Sequence, residues 1–243
     1  MKLNILGLAE ERWKGAGSTK LGSKTLIYSG GHTLERGVGI LLDVTTAKSL
    51  GSWCLISERV VVAKLIAKPL NLGIIQVYAP TCDNEDVEVE KFYKEIKKAK
   101  GYLKYQVIII VMGDFKAKVG DERVEDVGPS GIGTVNERGS RLIEWCQVNE
   151  FTITNSSYQN TLGDNGLGRA PDIVKTSKSL PGADCDSDNI PVMCKFQIKL
   201  KKLRKANANP KFQMDLLESD EKLKDKIAVA VHTKYETLKL SQK

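Results

Sequence analysis

The stretch Val107-Ile108-Ile109-Ile110-Val111-Met112-Gly113-Asp114-Phe115-Lys116 limits what this chain can fold into more than any other. Five consecutive β-branched residues followed by methionine are stiff at χ1 and too few for a core helix. They predict a strand buried on both faces. Gly113 then allows the backbone to approach another chain closely, and Asp114 follows at once. A carboxylate fixed at the exit of a rigid core strand has little freedom, which is what chemistry requires of it. An aspartate in a turn after a strand looks the same in isolation, so the flanking chain has to decide.

The 243 residues suffice for one large domain, or one domain plus an appendage, with a real core. No apolar run approaches membrane-spanning length, and neither a secretory leader nor an Arg-rich transit segment is evident. A nuclear or cytoplasmic location without a membrane partner is therefore expected. The five cysteines (Cys54, Cys82, Cys146, Cys185, Cys194) are odd in number and contain no Cys-x-x-Cys pair, which argues against a disulfide framework or a zinc site. The charge is uneven. Residues 195–243 carry 13 basic and 6 acidic groups, which accounts for the whole net charge of +7. A neutral body with a cationic tail suits attraction to a polyanion, although a lysine-rich tail also serves solubility alone.

Leu3 to Leu8 predicts a first strand, with Glu10 at its exit as Asp114 is at the exit of its own. Gly15 to Lys24 is rich in Gly, Ser and Lys but lacks the Gly-Lys-Ser/Thr ending of a phosphate-binding loop, so a flexible basic loop is expected. Thr25–Tyr28 and Val38–Leu42 predict strands, and His32 between them is expected to face solvent. Residues 59–66 and 72–78 predict a hairpin that ends at Tyr78-Ala79-Pro80. Asn84-Glu85-Asp86, an N-cap signal with acids in the first turn, opens a helix whose stripe is Val89, Phe92, Ile96, Ala99 and Leu103. Asn136 or Glu137 opens a second helix with Leu142, Trp145 and Cys146 on its buried side. After a strand at Phe151–Thr154 the pattern fails: Asn155 to Pro171 has almost no apolar content, and Pro171-Asp172-Ile173-Val174 is a short fragment. Residues 190–198 restore alternation, and a basic run from Lys199 to Lys205 leads into a charged, helical tail. Strands in excess, with two helices between them, predict two packed sheets with outer helices.

Three strand exits carry acids: Glu10, Asp114 and, in Asp186-Ser187-Asp188-Asn189-Ile190-Pro191-Val192, Asp188. If they converge, a hard cation such as Mg²⁺ would neutralise them, polarise a phosphodiester and stabilise the leaving oxygen. In the same order, Leu6-Gly7-Leu8-Ala9-Glu10-Glu11-Arg12-Trp13, Val77-Tyr78-Ala79-Pro80, Val111-Met112-Gly113-Asp114-Phe115 and Ser187-Asp188-Asn189-Ile190-Pro191-Val192 resemble the endonuclease/exonuclease/phosphatase superfamily. More narrowly, they resemble the apurinic-endonuclease-type domain of non-LTR (LINE, RTE-type) retrotransposons and the related craniofacial development protein 2 family. The resemblance implies an α+β fold, a four-layered α/β/β/α sandwich of two mostly antiparallel sheets flanked by helices, that nicks DNA with Mg²⁺. It implies Glu10 as principal metal ligand, Tyr78 as a contact to the scissile phosphate, Asp114 as the group orienting or deprotonating water, and Asp188 as a further catalytic and metal-site residue.

The departures from that pattern are equally specific. Lys116 stands where the family has Asn, and a donor-only cation beside the expected metal is a different group from an amide. Asn189 stands where the family has His, and an amide cannot become an imidazolium near neutral pH. The Asp that partners that His survives at best as Asp172. The family's opening strand and helix have no counterpart, so the domain is expected at residues 1–198, incomplete at its N-terminus and damaged around 155–175, with the basic tail at 199–243. Losing one preorganised site group typically costs about 2.7–4 kcal/mol of transition-state stabilisation. The expectation is a strongly impaired or inactive nuclease, or else a non-catalytic module that binds nucleic acid or protein through its basic tail.

Overall fold

The computed structural model describes residues 3–11, 13–31, 36–81, 84–104, 106–120, 133–154, 167–168, 174–180 and 191–203. Strands β1 (Ile5–Ala9), β2 (Ala16–Leu21), β3 (Lys24–Gly30) and β4 (Gly37–Leu42) form a four-stranded antiparallel sheet in the order β1-β4-β3-β2. A single helical turn, α1 (Val44–Ala47), is capped by Asp43, whose carboxylate accepts from the Thr46 N–H at 2.6 Å. It delivers the chain to β5 (Leu50–Ser57), β6 (Val60–Leu65), the short β7 (Ala67–Lys68) and β8 (Asn71–Tyr78). Then come α2 (Asp86–Leu103), β9 (Val107–Asp114), α3 (Glu137–Asn149), β10 (Thr152–Ile153) and β11 (Leu167–Gly168). The second sheet runs β10-β11-β9-β8-β6-β5 and is antiparallel except for β8 beside β9. Strands β12 (Val174–Ser179) and β13 (Val192–Phe196) pair with each other, and β14 (Lys199–Leu200) pairs with β7.

Period-two alternation explains how one strand serves two cores. Ile109 and Val111 of β9 face the helices, where they join Val60, Val62, Ile75 and Val77 against Val89, Phe92, Tyr93 and Ile96 of α2 and Leu142, Trp145 and Cys146 of α3. Ile108 and Ile110 face the other way and pack with Ile74 and Leu72 against Ile27, Val38, Ile40 and Leu42 of the four-stranded sheet. The strand is buried on both faces because helices cover one side and a second sheet covers the other. The α+β sandwich implied by the sequence is the architecture observed, with its described helix layer (α2 and α3) on the six-stranded sheet.

Three segments differ from the sequence reading. Residues 16–21 are not a loop: they form β2, an edge strand hairpinned onto β3 through a turn at Gly22. Its residues are almost all exposed, so no apolar alternation marked it. Leu50–Ser57 is a strand whose register shifts twice against β6, which blurs its period. Val174 is not an isolated fragment but opens β12, a six-residue strand of mostly polar residues held by pairing with β13. The basic run is partly built into the body: β14 lies on β7, Lys201 N–H reaches the Ile66 carbonyl at 2.8 Å, and Leu203 N–H reaches that of Lys48 at 2.9 Å. His32, Cys82, Cys185 and the tail beyond Leu203 lie outside the described residues.

Gly113 fixes the end of β9. Its φ is 139°, and a Cβ there would stand 1.9 Å from the Val77 carbonyl oxygen of the neighbouring strand. Only glycine accepts both the conformation and the contact. Gly113→Ala is therefore expected to lower unfolding stability by about 3 kcal/mol, read as a reduced urea midpoint with an unchanged m-value.

Candidate active site

The parallel register of β8 and β9 pairs Tyr78 with Asp114, so two strand exits lie side by side. The alternation that sends Ile74 and Ile110 between the sheets sends Tyr78 and Asp114 to the same side, while Phe115 turns towards the helices and packs edge-on against Phe92 at 6.3 Å. The Ala79 N–H donates to the Asp114 carbonyl at 2.8 Å and ties the two exits together.

Glu10 arrives from the other sheet. Strand β1 passes close above β8: a Cβ on Gly7 would stand 2.0 Å from Gln76 Oε1, and Gln76 Nε2 donates to the Leu8 carbonyl at 3.1 Å. Gln76 is 1% exposed, so this is a buried polar pin between the sheets. Two residues beyond it Glu10 adopts a left-handed φ of 58°, which ends the strand. The Tyr78 hydroxyl lies within reach of its carboxylate.

Lys116 sits among the three. Its Nζ lies 2.5 Å from Asp114 Oδ2 and 3.5 Å from Glu10 Oε1, and stands 5.7 Å from the centre of the Tyr78 ring. The contact with Oδ2 has the distance of an ion pair without the angles of a hydrogen bond, so charge holds that buried oxygen. Burial pulls the Lys116 ammonium down, but its contact with Asp114 and the charges of Asp114 and Glu10 outweigh burial and raise it above the ordinary lysine range. Burial, the hydrogen bond to Glu10 and that carboxylate's charge push the Tyr78 phenol up. Arg59 lies 5.3 Å from the same ring and donates from Nη1 to the Tyr78 and Ala79 carbonyls at 3.3 and 3.2 Å. Nothing local in the sequence marks Arg59 as buried: it precedes an apolar strand as any turn residue does. Its burial is a tertiary consequence of the β8 exit folding over it.

The sequence candidates Glu10, Tyr78, Asp114 and Lys116 thus come together, while Asp188, Asn189 and Asp172 lie outside the described residues. The described part of the site fits a divalent metal poorly. An ion touching both carboxylates would stand about 3.5 Å from an ammonium, a repulsion of roughly 9 kcal/mol at an effective dielectric of about 20. Among the described residues no group of three or more His, Cys, Asp or Glu side chains is placed to hold a metal ion.

No family model matches the chain. Craniofacial development protein 2 of Bos taurus is 31% identical over 221 residues, covering 83% of this chain and 37% of that protein. The same protein of Tragulus javanicus is 30% identical over 221 residues, covering 83% and 38%. The chain therefore spans little more than a third of the length of these curated relatives. Among solved structures, an AP endonuclease, LMAP from Leishmania major, superposes with a TM-score of 0.56 at 13% identity over 82% of this chain and 78% of its own. The endonuclease domain of TRAS1, a telomere-specific non-LTR retrotransposon, gives 0.51 at 14% identity over 74% and 81%. The sandwich and these relatives agree: the chain is a homologue of craniofacial development protein 2 with an endonuclease/exonuclease/phosphatase-type fold.

Proposed function

We propose that this chain is a DNA-recognising domain descended from a Mg²⁺-dependent endonuclease, with phosphodiester hydrolysis strongly impaired. The observation that carries this reading is the meeting of Glu10, Tyr78 and Asp114 at adjoining strand exits with Lys116 drawn in between them. The arrangement does not suit turnover. Tyr78 keeps its proton and, turned away from Glu10, can donate it as a hydrogen bond to a phosphate oxygen. Asp114 is 3% exposed and already engaged, through Oδ1 by the Lys116 N–H at 2.9 Å and through Oδ2 by the ammonium. A carboxylate tied at both oxygens is poorly placed to take a proton from water. The roles carried over for Glu10 and Asp188 as Mg²⁺ ligands belong to the ancestral reaction, and Asn189 supplies no imidazolium to the phosphate. The likeness to a retrotransposon endonuclease domain and an AP endonuclease supports DNA as the substrate class.

The uneven charge favours a complementary reading, that binding to nucleic acid relies on the basic C-terminal segment. Protein partners are consistent with the same segment but have no observation of their own.

Nicking of supercoiled plasmid with and without Mg²⁺ tests the main reading. The expected rate is at least about 10²–10³-fold below that of the Leishmania enzyme run alongside. Comparable Mg²⁺-dependent nicking, abolished by Asp114→Ala, would overturn it. Binding to a short DNA duplex should weaken steeply with salt, and deleting residues 204–243 should flatten the slope of log K against log salt. Salt-independent binding contradicts the electrostatic reading. A third outcome concerns Tyr78. A raised folded-state pKa means its stabilising contribution is intact below the unfolded value of about 10 and disappears as pH rises through the folded value. The 295 nm titration of wild type minus Tyr78→Phe should show ionisation above that value, and Glu10→Gln should move it down.

A further inference from the structure

Glu10 and Asp114 are far apart in sequence, come from different sheets, and meet across the ammonium of Lys116. The lysine is steered there by its own backbone. Its φ is 48°, and its N–H donates to Asp114 Oδ1 in an Asx-type turn that aims the stem back at the carboxylate just passed. The ammonium stands 5.7 Å from the centre of the Tyr78 ring and the side chain is only 25% exposed. Asp114 Oδ2 is buried without a hydrogen bond of good geometry, so its charge is met by that ammonium. A carboxylate with 3% exposure needs a cation nearby in the folded state.

We propose that Lys116 is a resident counter-ion between Glu10 and Asp114, and that removing its charge converts this pair into a divalent-cation site. The inference rests on the reading above for the ancestral use of a metal, but its content is a competition between one ammonium and one hard cation for the same two carboxylates. Lysine covers their charge with a covalently tethered, preoriented cation, whose high effective concentration a free ion at millimolar level has to overcome. Mg²⁺ and Mn²⁺ need only one or two carboxylates and complete their shells with water, so Glu10 and Asp114 suffice once the ammonium has gone.

The experiment uses the full chain without DNA. Wild type, Lys116→Gln, Lys116→Met and the charge-preserving Lys116→Arg are titrated with Mn²⁺, with free ion read by electron paramagnetic resonance. The Gln and Met variants are expected to bind one Mn²⁺ at least about 30-fold more tightly than wild type, and the Arg variant is not. Adding Asp114→Asn to the Gln variant should abolish the gain, which excludes a site elsewhere. Mg²⁺ should raise the Tm of the two neutral variants and leave that of wild type unchanged. Wild type binding Mn²⁺ as tightly as the neutral variants would overturn the proposal, as would no gain in either neutral variant. If a neutral variant is unfolded alone, refolding on addition of Mn²⁺ supports the proposal and failure to refold counts against it. Because metal is read without DNA, a negative result here leaves DNA recognition standing, and loss of DNA binding would not touch this result.

Discussion

The structure turns on the crossing of β1 over β8, where Gly7 lies against the Gln76 side chain and Leu8 accepts its hydrogen bond. Apolar packing between two sheets is non-directional and fixes their spacing better than their registration. A buried amide with a specific acceptor does fix it, because sliding by one residue would strand the Nε2 donor and drive Oε1 into a side chain. Gln76 Oε1 already lacks a hydrogen bond partner, so this pin is costly, and the place where β1 ends depends on it. Glu10 reaches Tyr78 because Gly7 allows the approach.

Around that crossing the charges are arranged to close on themselves. Asp114 is too deeply buried to stand alone, and Lys116 satisfies it at a separation that solvent does not enter. Arg59 holds the Tyr78 and Ala79 carbonyls from beneath while its guanidinium faces the same phenol ring, so the end of β8 is fixed from two sides. Burial pulls Arg59 below its ordinary range, with Arg36 adding to that, and Arg59 Nε has no acceptor of its own. A site in which buried cations and anions neutralise one another is rigid and electrostatically quiet.

Much of this was legible in the chain, for identifiable reasons. Strand β9 announced itself because five β-branched residues leave few alternatives, and α2 because Val89, Phe92, Ile96, Ala99 and Leu103 keep strict helical spacing. The strands that escaped, β2, β5 and β12, are those whose neighbours rather than their own residues supply order: an exposed edge, a ladder with two register shifts, and a polar strand held by β13. At the site, Glu10, Tyr78 and Asp114 stand out as polar groups at strand ends in a recognisable order. Lys116 was visible as a substitution, but its two-way contact was not, since that depends on a left-handed backbone and on a carboxylate from another sheet. Arg59 left no trace because its burial comes from a strand nearly twenty residues later.

The small β14–β7 pairing has a geometric consequence. It sews the chain to the entrance of β8, and Leu203 leaves the body there, bonded to Lys48. Tyr78 stands at the opposite end of that strand, about 23 Å away at the usual rise per residue. Strand β8 is thus clamped at both ends, by the β14–β7 ladder beside its entrance and by Arg59 at its exit, so the position of Tyr78 is set from beyond the site as well as within it.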